Sequence, residues 1–124
     1  MFREIYKEPD LESSFRKNKL GTSLFGLIVA FNPKLVLELG ALNGYSSAVI
    51  LQALNFLNNN SKLTTVDLFE DYPFNKCSMD QYQKNIMSIK SISKNVNHEI
   101  CKKDIFQDIK AVSYTHLTLP TMFE

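Results

Sequence analysis

With 124 residues, 44% of them hydrophobic and 22% charged, the chain is long enough for one globular domain and too short for two of ordinary size. A net charge of +1 gives no bulk electrostatic case for nucleic acid or an acidic membrane, and the denser runs Arg16-Lys17-Asn18-Lys19 and Lys102-Lys103 read as solvated surface. Cys77 and Cys101 lack metal-type or Cys-x-x-Cys spacing and fit reduced thiols in a cytoplasmic protein. The apolar run Leu24 to Phe31 is far short of the roughly 20 residues that span a bilayer, and the charged N-terminus lacks a secretory hydrophobic region, so neither a membrane nor a nucleic acid is an expected partner.

Residues 1–20 are polar with scattered apolar positions and read as a helical segment broken at Pro9, either a lid or a pack against the core. Gly21-Thr22-Ser23 reads as a capped helix start, Leu24, Phe25, Leu27, Ile28 and Phe31 recur at helical spacing, and Pro33 ends the run. Thr22 and Ser23 are expected to act as caps.

The stretch from Leu35 to Ser47 organises the rest. Leu35 to Leu39 is a short apolar run of the kind buried on both faces of a parallel sheet. Glu38 interrupts it near the end where an α/β sheet opens into its ligand crevice. Gly40 and Gly44 bracket a turn, and Ser46 and Ser47 are expected at a helix N-cap, beside orphan N–H groups. A dinucleotide fingerprint would want G-x-G-x-x-G; here the spacing is Glu38-x-Gly40-x-x-x-Gly44, with Leu42 near the place of a middle glycine.

The pattern Glu38-Leu39-Gly40-Ala41-x-x-Gly44-Tyr45-Ser46 resembles motif I of class I S-adenosylmethionine-dependent methyltransferases, particularly the small-molecule O-methyltransferases of the catechol type. The resemblance implies that the loop carrying Gly40, Ala41, Asn43, Gly44, Tyr45 and Ser46 wraps the amino-acid end of the cofactor. Glu38 would then face the cofactor's charged part, directly or through water.

Beyond the loop, residues 46–57 read as a largely buried helix stopped by Asn58-Asn59-Asn60-Ser61. Leu63-Thr64-Thr65-Val66 is a β-branched second strand ending at Asp67. Nucleoside-binding folds place an acidic residue there, because a carboxylate accepts from two vicinal ribose hydroxyls. The resemblance gives Asp67 that role and puts Leu68 beside the adenosine. After an irregular connection, in which Tyr72 and Phe74 are within reach of a cofactor or substrate, a helix opens at Ser78 with an apolar stripe of Tyr82, Ile86 and Ile89. Asn95 to His98 reads as a turn with His98 on the surface, and Glu99-Ile100-Cys101 as a weak third strand. Asp104 and Ile105 match the family's acidic-apolar pair that contacts the adenine amino group.

Residues 112–121 depart from this pattern. They match the translation of a transposon-type sequencing adapter, and residues 112–124 are expected to be a non-native tail, outside fold reasoning. Residues 21–111 are then the N-terminal half of a methyltransferase domain. The expected fold is an incomplete Rossmann-like α/β fold of three parallel strands, with the first left as an unpaired edge. The resemblance allows a divalent metal, but its ligands and the catalytic lysine have no counterpart in this chain. The expected activity of the parent protein is S-adenosylmethionine-dependent methyl transfer to an oxygen of a small-molecule acceptor, the truncated chain itself being inactive. The alternatives are an NAD-dependent Rossmann oxidoreductase or epimerase and a non-catalytic nucleoside-binding domain.

Overall fold

The computed structural model describes residues 5–75, 77–89 and 96–104, together with the backbone of 117–119. In chain order the elements are α1 (Ser14–Lys17), α2 (Gly21–Phe31), β1 (Leu35–Leu39), α3 (Tyr45–Leu57), β2 (Lys62–Asp67), a 3-10 turn (Phe69–Asp71), α4 (Met79–Met87), β3 (Asn97–Lys102) and β4 (Leu117–Leu119).

The strands form one sheet in the order β3-β2-β1-β4, and every pair is parallel. This order makes β1 the switch point of a doubly wound sheet, the place where ligands bind beyond the carboxyl ends of the strands. It also corrects the expectation that β1 is an unpaired edge. Val36, Leu37 and Glu38 are matched by Leu117, Thr118 and Leu119, so the Leu-Thr-Leu segment supplies the backbone partners of a fourth strand. The physical reason is that a β1 with open N–H and C=O groups is a template for any nearby extended segment.

Alternation along the strands divides the sheet into two faces. Val36, Leu63 and Ile100 point to the face that carries the main core, where α3 is buried at every residue from Tyr45 to Leu54. The opposite face gathers Leu37 and Val66 with the partly buried Leu39 and Cys101. α2 packs on α3 through Phe25 and Ile28, and Tyr6 meets Phe25 edge to face at 5.2 Å.

The N-terminal segment packs rather than swings free. Gln52, fully buried on α3, accepts from Lys7 N at 2.7 Å and donates to Lys7 O at 2.8 Å, replacing the strand partner that this backbone would otherwise want. Among the described residues of this segment Ile5 and α1 are helical, and Ser13 caps α1. Two expected caps are corrected. α2 starts at Gly21 with Leu20 as its N-cap and no side-chain cap bond, so Thr22 and Ser23 lie in the first turn. α3 is capped by Gly44, not by a serine. By contrast, Ser78 caps α4, its Oγ accepting from Gln81 N at 3.1 Å.

Candidate functional site

The loop between β1 and α3 is a tight turn closed by its own backbone. Gly40 donates to Val66 O and Gly44 to Ala41 O, each at 2.9 Å. Gly40 (φ 88°) and Gly44 (φ 100°) occupy the left-handed region. A Cβ at Gly44 would come within 3.0 Å of Ile86 and 3.3 Å of the Tyr82 ring, so space as well as backbone conformation calls for glycine. Leu42 is also left-handed (φ 48°), a conformation that costs a branched side chain about 1–2 kcal/mol. The surrounding structure must hold it there.

Asp67 does much of that holding. Its carboxylate sits at the C-terminal end of β2, 9% exposed. One oxygen accepts from Ala41 N at 2.7 Å and the other from Phe69 N at 2.6 Å. Phe69 is itself left-handed (φ 51°) and fully buried. One carboxylate therefore ties together two strained turns, the one after β1 and the one after β2. Each carboxylate oxygen has a further lone pair, so accepting an amide leaves acceptor capacity at the rim. Leu68, half-buried, follows directly. The end of β3 is joined to the same rim by Lys103 N donating to Asp67 O at 3.1 Å. Lys102 Nζ reaches Glu70 at 3.0 Å and Asp71 at 3.5 Å. The contact with Lys102 holds the Glu70 carboxyl below its ordinary range and raises the lysine. Asp104 follows β3, half-buried; Ile105 lies outside the described residues.

Glu38 is fully buried beneath the loop. Its carboxylate accepts from Ser46 Oγ at 2.6 Å, Ser47 Oγ at 2.5 Å and Thr65 Oγ1 at 2.9 Å. Ser46 and Ser47, expected as caps, instead turn their hydroxyls onto this acid and draw the first turn of α3 onto β1. Burial pushes the Glu38 carboxyl up, against the three hydroxyls that favour its charge.

The network extends further. Tyr82 Oη donates to Ser47 Oγ at 2.7 Å, and His98 Nε2 lies 2.9 Å from Thr65 Oγ1. Thr65 gives its proton to Glu38, so His98 Nε2 is the donor in that pair. Desolvation holds the His98 imidazole down at about 4 and lifts the Tyr82 phenol well above its ordinary value. His98 is therefore not a surface turn residue: it lies on β3, partly buried, its ring 6.2 Å from that of Tyr82. The sequence signal available for it was alternation, since His98, Ile100 and Lys102 share a face.

The remaining expected residues sit around the loop in different ways. Asn43 donates from Nδ2 to Glu12 O at 3.2 Å, linking loop and N-terminal segment. Tyr45 opens α3, but its phenol donates to Glu8 Oε2 at 2.8 Å, and Tyr6 donates to Glu8 Oε1 at 2.5 Å. Burial first, then the Glu8 carboxylate, push the Tyr45 phenol up to about 12. Ala41 contributes its amide to Asp67 and a buried methyl to the core. Tyr72 and Phe74 pack on each other at 5.7 Å, with Phe74 82% exposed.

Both cysteines are free thiols. Among the described residues no group of His, Cys, Asp and Glu is arranged to hold a metal ion, and no helix is long and apolar enough to cross a membrane. A small cavity lined by Leu54, Asn58, Ser61 and Val96 lies at the far end of α3, away from the loop.

No protein-family profile matches the chain, and no curated relative does. Solved structures do. The O-methyltransferase TomG from Streptomyces achromogenes, involved in tomaymycin synthesis and in complex with SAM, superposes with a TM-score of 0.57 at 18% identity, over 86% of this chain and 41% of its own. SAH-bound methyltransferase PaMTH1 from Podospora anserina gives 0.54 at 13% identity, over 84% and 38%. Cofactor-bound Rv0187 from MTB gives 0.55 at 16% identity, over 86% and 42%. The likeness shows a partial Rossmann-like methyltransferase fold, and the chain spans about two-fifths of the length of these structures.

Proposed function

We propose that this chain carries the cofactor-side half of an S-adenosylmethionine-dependent methyltransferase whose acceptor is an oxygen of a small molecule. The observation that carries the reading is Asp67. It sits at the end of the strand beside β1, at the rim of the switch point, and fixes the glycine turn through Ala41 N while keeping acceptor capacity. That is what holding a ribose diol next to a backbone cradle requires. The structural neighbours that contain SAM or SAH share this fold, which supports the same ligand here.

The residues present fit that cofactor. Asp67 would take the ribose hydroxyls, and Leu68, Asp104 and Ile105 would flank the nucleobase. The turn from Gly40 through Ala41, Asn43 and Gly44 to Tyr45 and Ser46 would receive the amino-acid end, where the first N–H groups of α3 have no intrahelical acceptor. Glu38 would act one layer below, fixing Ser46 and Ser47 rather than touching the ligand. When bound, the cofactor supplies a methyl group already activated as a sulfonium, so the protein's task is chiefly alignment of acceptor oxygen, carbon and sulfur. A base or metal to deprotonate the acceptor is not assigned to any residue here. Residues 21–111 would constitute this half-domain, behind an N-terminal segment at 1–20 and followed by a tail of foreign origin at 112–124.

Isothermal titration of the chain with S-adenosylhomocysteine and, separately, with NAD tests the reading. Saturable binding of the first and none of the second is expected. NAD binding with no response to S-adenosylhomocysteine would overturn it.

A further inference from the structure

α4 touches the glycine turn and the first turn of α3 at three points. Tyr82 donates to Ser47 Oγ, Ile86 fills the space beside Gly44, and Asn85 Nδ2 donates to Asn43 O at 2.9 Å. The third contact is different in kind, because it grips the backbone of the turn. It is also oriented: Asn85 Oδ1 accepts from Gln81 Nε2 at 2.8 Å, one helical turn earlier, so its amide nitrogen faces the loop.

The gripped carbonyl belongs to the peptide unit joining Asn43 to Gly44. That unit is planar, so fixing its C=O fixes the direction of its N–H, which closes the turn onto Ala41 O at 2.9 Å. Gly44 (φ 100°), within the unit, and Leu42 (φ 48°), one residue before it, are both left-handed, and a free turn would relax out of the second of these. Ala41, where the turn closes, is the residue whose amide meets Asp67. A continuous set of hydrogen bonds thus runs from Gln81 through Asn85 and the Asn43–Gly44 peptide to Ala41 and Asp67.

We infer that Asn85 is a positioning residue: α4 uses its carboxamide to set the plane of the Asn43–Gly44 peptide, and so the shape of the cradle. The ligand-binding part of this inference rests on the cofactor reading above; the loop-shaping part does not.

Amide hydrogen exchange on the intact chain without ligand tests the loop-shaping part. Asn85→Ala is expected to speed exchange of the Gly44 amide about fivefold, the size a neutral hydrogen bond supports. The Tyr82 amide, inside α4, should be unchanged. Asn85→Asp keeps the side chain's shape and removes its donor, so it should give a larger effect, which a purely packing role would not. Gln81→Ala, a milder change that leaves Asn85 free to rotate, should give the same signature at smaller size. Lys84→Ala, on an exposed part of α4, should give none. Unchanged Gly44 exchange in Asn85→Asp and Gln81→Ala would overturn the inference.

Titration of the same variants with S-adenosylhomocysteine should show dissociation constants rising in the same order. If the unsubstituted chain fails to bind it, the cofactor reading falls, and the exchange data still decide the role of Asn85.

Discussion

At both ends of α3 the chain turns through a left-handed residue, Gly44 (φ 100°) at the C-terminal rim of the sheet and Asn58 (φ 49°) at the opposite rim. Small polar side chains are buried at both. Near Gly44 they are bonded to one another: Ser46, Ser47 and Thr65 converge on Glu38, and Tyr82 and His98 close the network from behind. Towards Asn58, by contrast, Asn59 Oδ1 and Ser61 Oγ are buried with no hydrogen-bond partner among the described residues. One end only has to stop a helix, which an asparagine in the left-handed region does with an N–H to Leu54 O. The other has to hold a fixed shape, and it is over-determined by hydrogen bonds from β2, β3, α4 and the N-terminal segment.

The difference can be tested by breaking each end, and the largest effect is expected at Asp67. Asp67→Ala leaves Ala41 N and Phe69 N without their acceptor and releases two strained turns. It should cost about 3–6 kcal/mol in chemical denaturation, since each of the two bonds to a charged acceptor contributes about 1.5–3. A cost below 1 kcal/mol would mean that the two turns hold themselves.

pH dependence comes next. His98 is depressed to about 4 in the fold, against 6.5 in the unfolded chain. The unfolded chain therefore binds the extra proton first, and stability is lost as pH falls from 6.5 towards 4, by up to about 3 kcal/mol. His98→Gln removes that slope while keeping a donor for Thr65. Glu38 runs the other way: its raised carboxyl means that stability present below 4.5 is lost as pH rises through the folded-state value. Glu38→Gln should flatten that second slope. Thermal melts from pH 4 to 8 read both, and melting curves of identical pH dependence in all three proteins would dissolve the network as an energetic unit.

Single hydroxyls sharpen the contrast. Ser47→Ala removes one donor to a buried carboxylate and one acceptor of Tyr82, and should cost about 2 kcal/mol. Ser61→Ala removes a hydroxyl that has no partner among the described residues, so a change within about 0.5 kcal/mol, of either sign, is expected. Equal losses at Ser47 and Ser61 would erase the distinction between the two ends.

Much of the frame was legible in residue order alone, for identifiable reasons. β1 reads out as Leu35 to Leu39 because a strand buried on both faces leaves a run with no polar partner side, and α2 stops before Pro33 because proline cannot continue a helix. β2 ends at Asp67 as its β-branched run implied. What sequence did not disclose was cross-chain. Nothing local says that Ser46 and Ser47 face an acid eight and nine residues back instead of capping a helix, or that Gln52 serves as the backbone partner of Lys7. His98 looked like a turn residue because its burial comes from Tyr82 and Thr65, which approach from 16 and 33 residues away. β4 lay in a segment set aside on grounds of origin, whereas backbone pairing requires only an extended chain beside β1.

The central claim is that the turn after β1 and the carboxylate of Asp67 together hold a sulfonium nucleoside. A crystal structure of the chain grown with S-adenosylhomocysteine tests it most directly. The account predicts the ribose hydroxyls on Asp67 and the amino-acid end against Gly40 to Ser46. A nucleoside bound elsewhere, with Asp67 engaged only by Ala41 and Phe69, would contradict it.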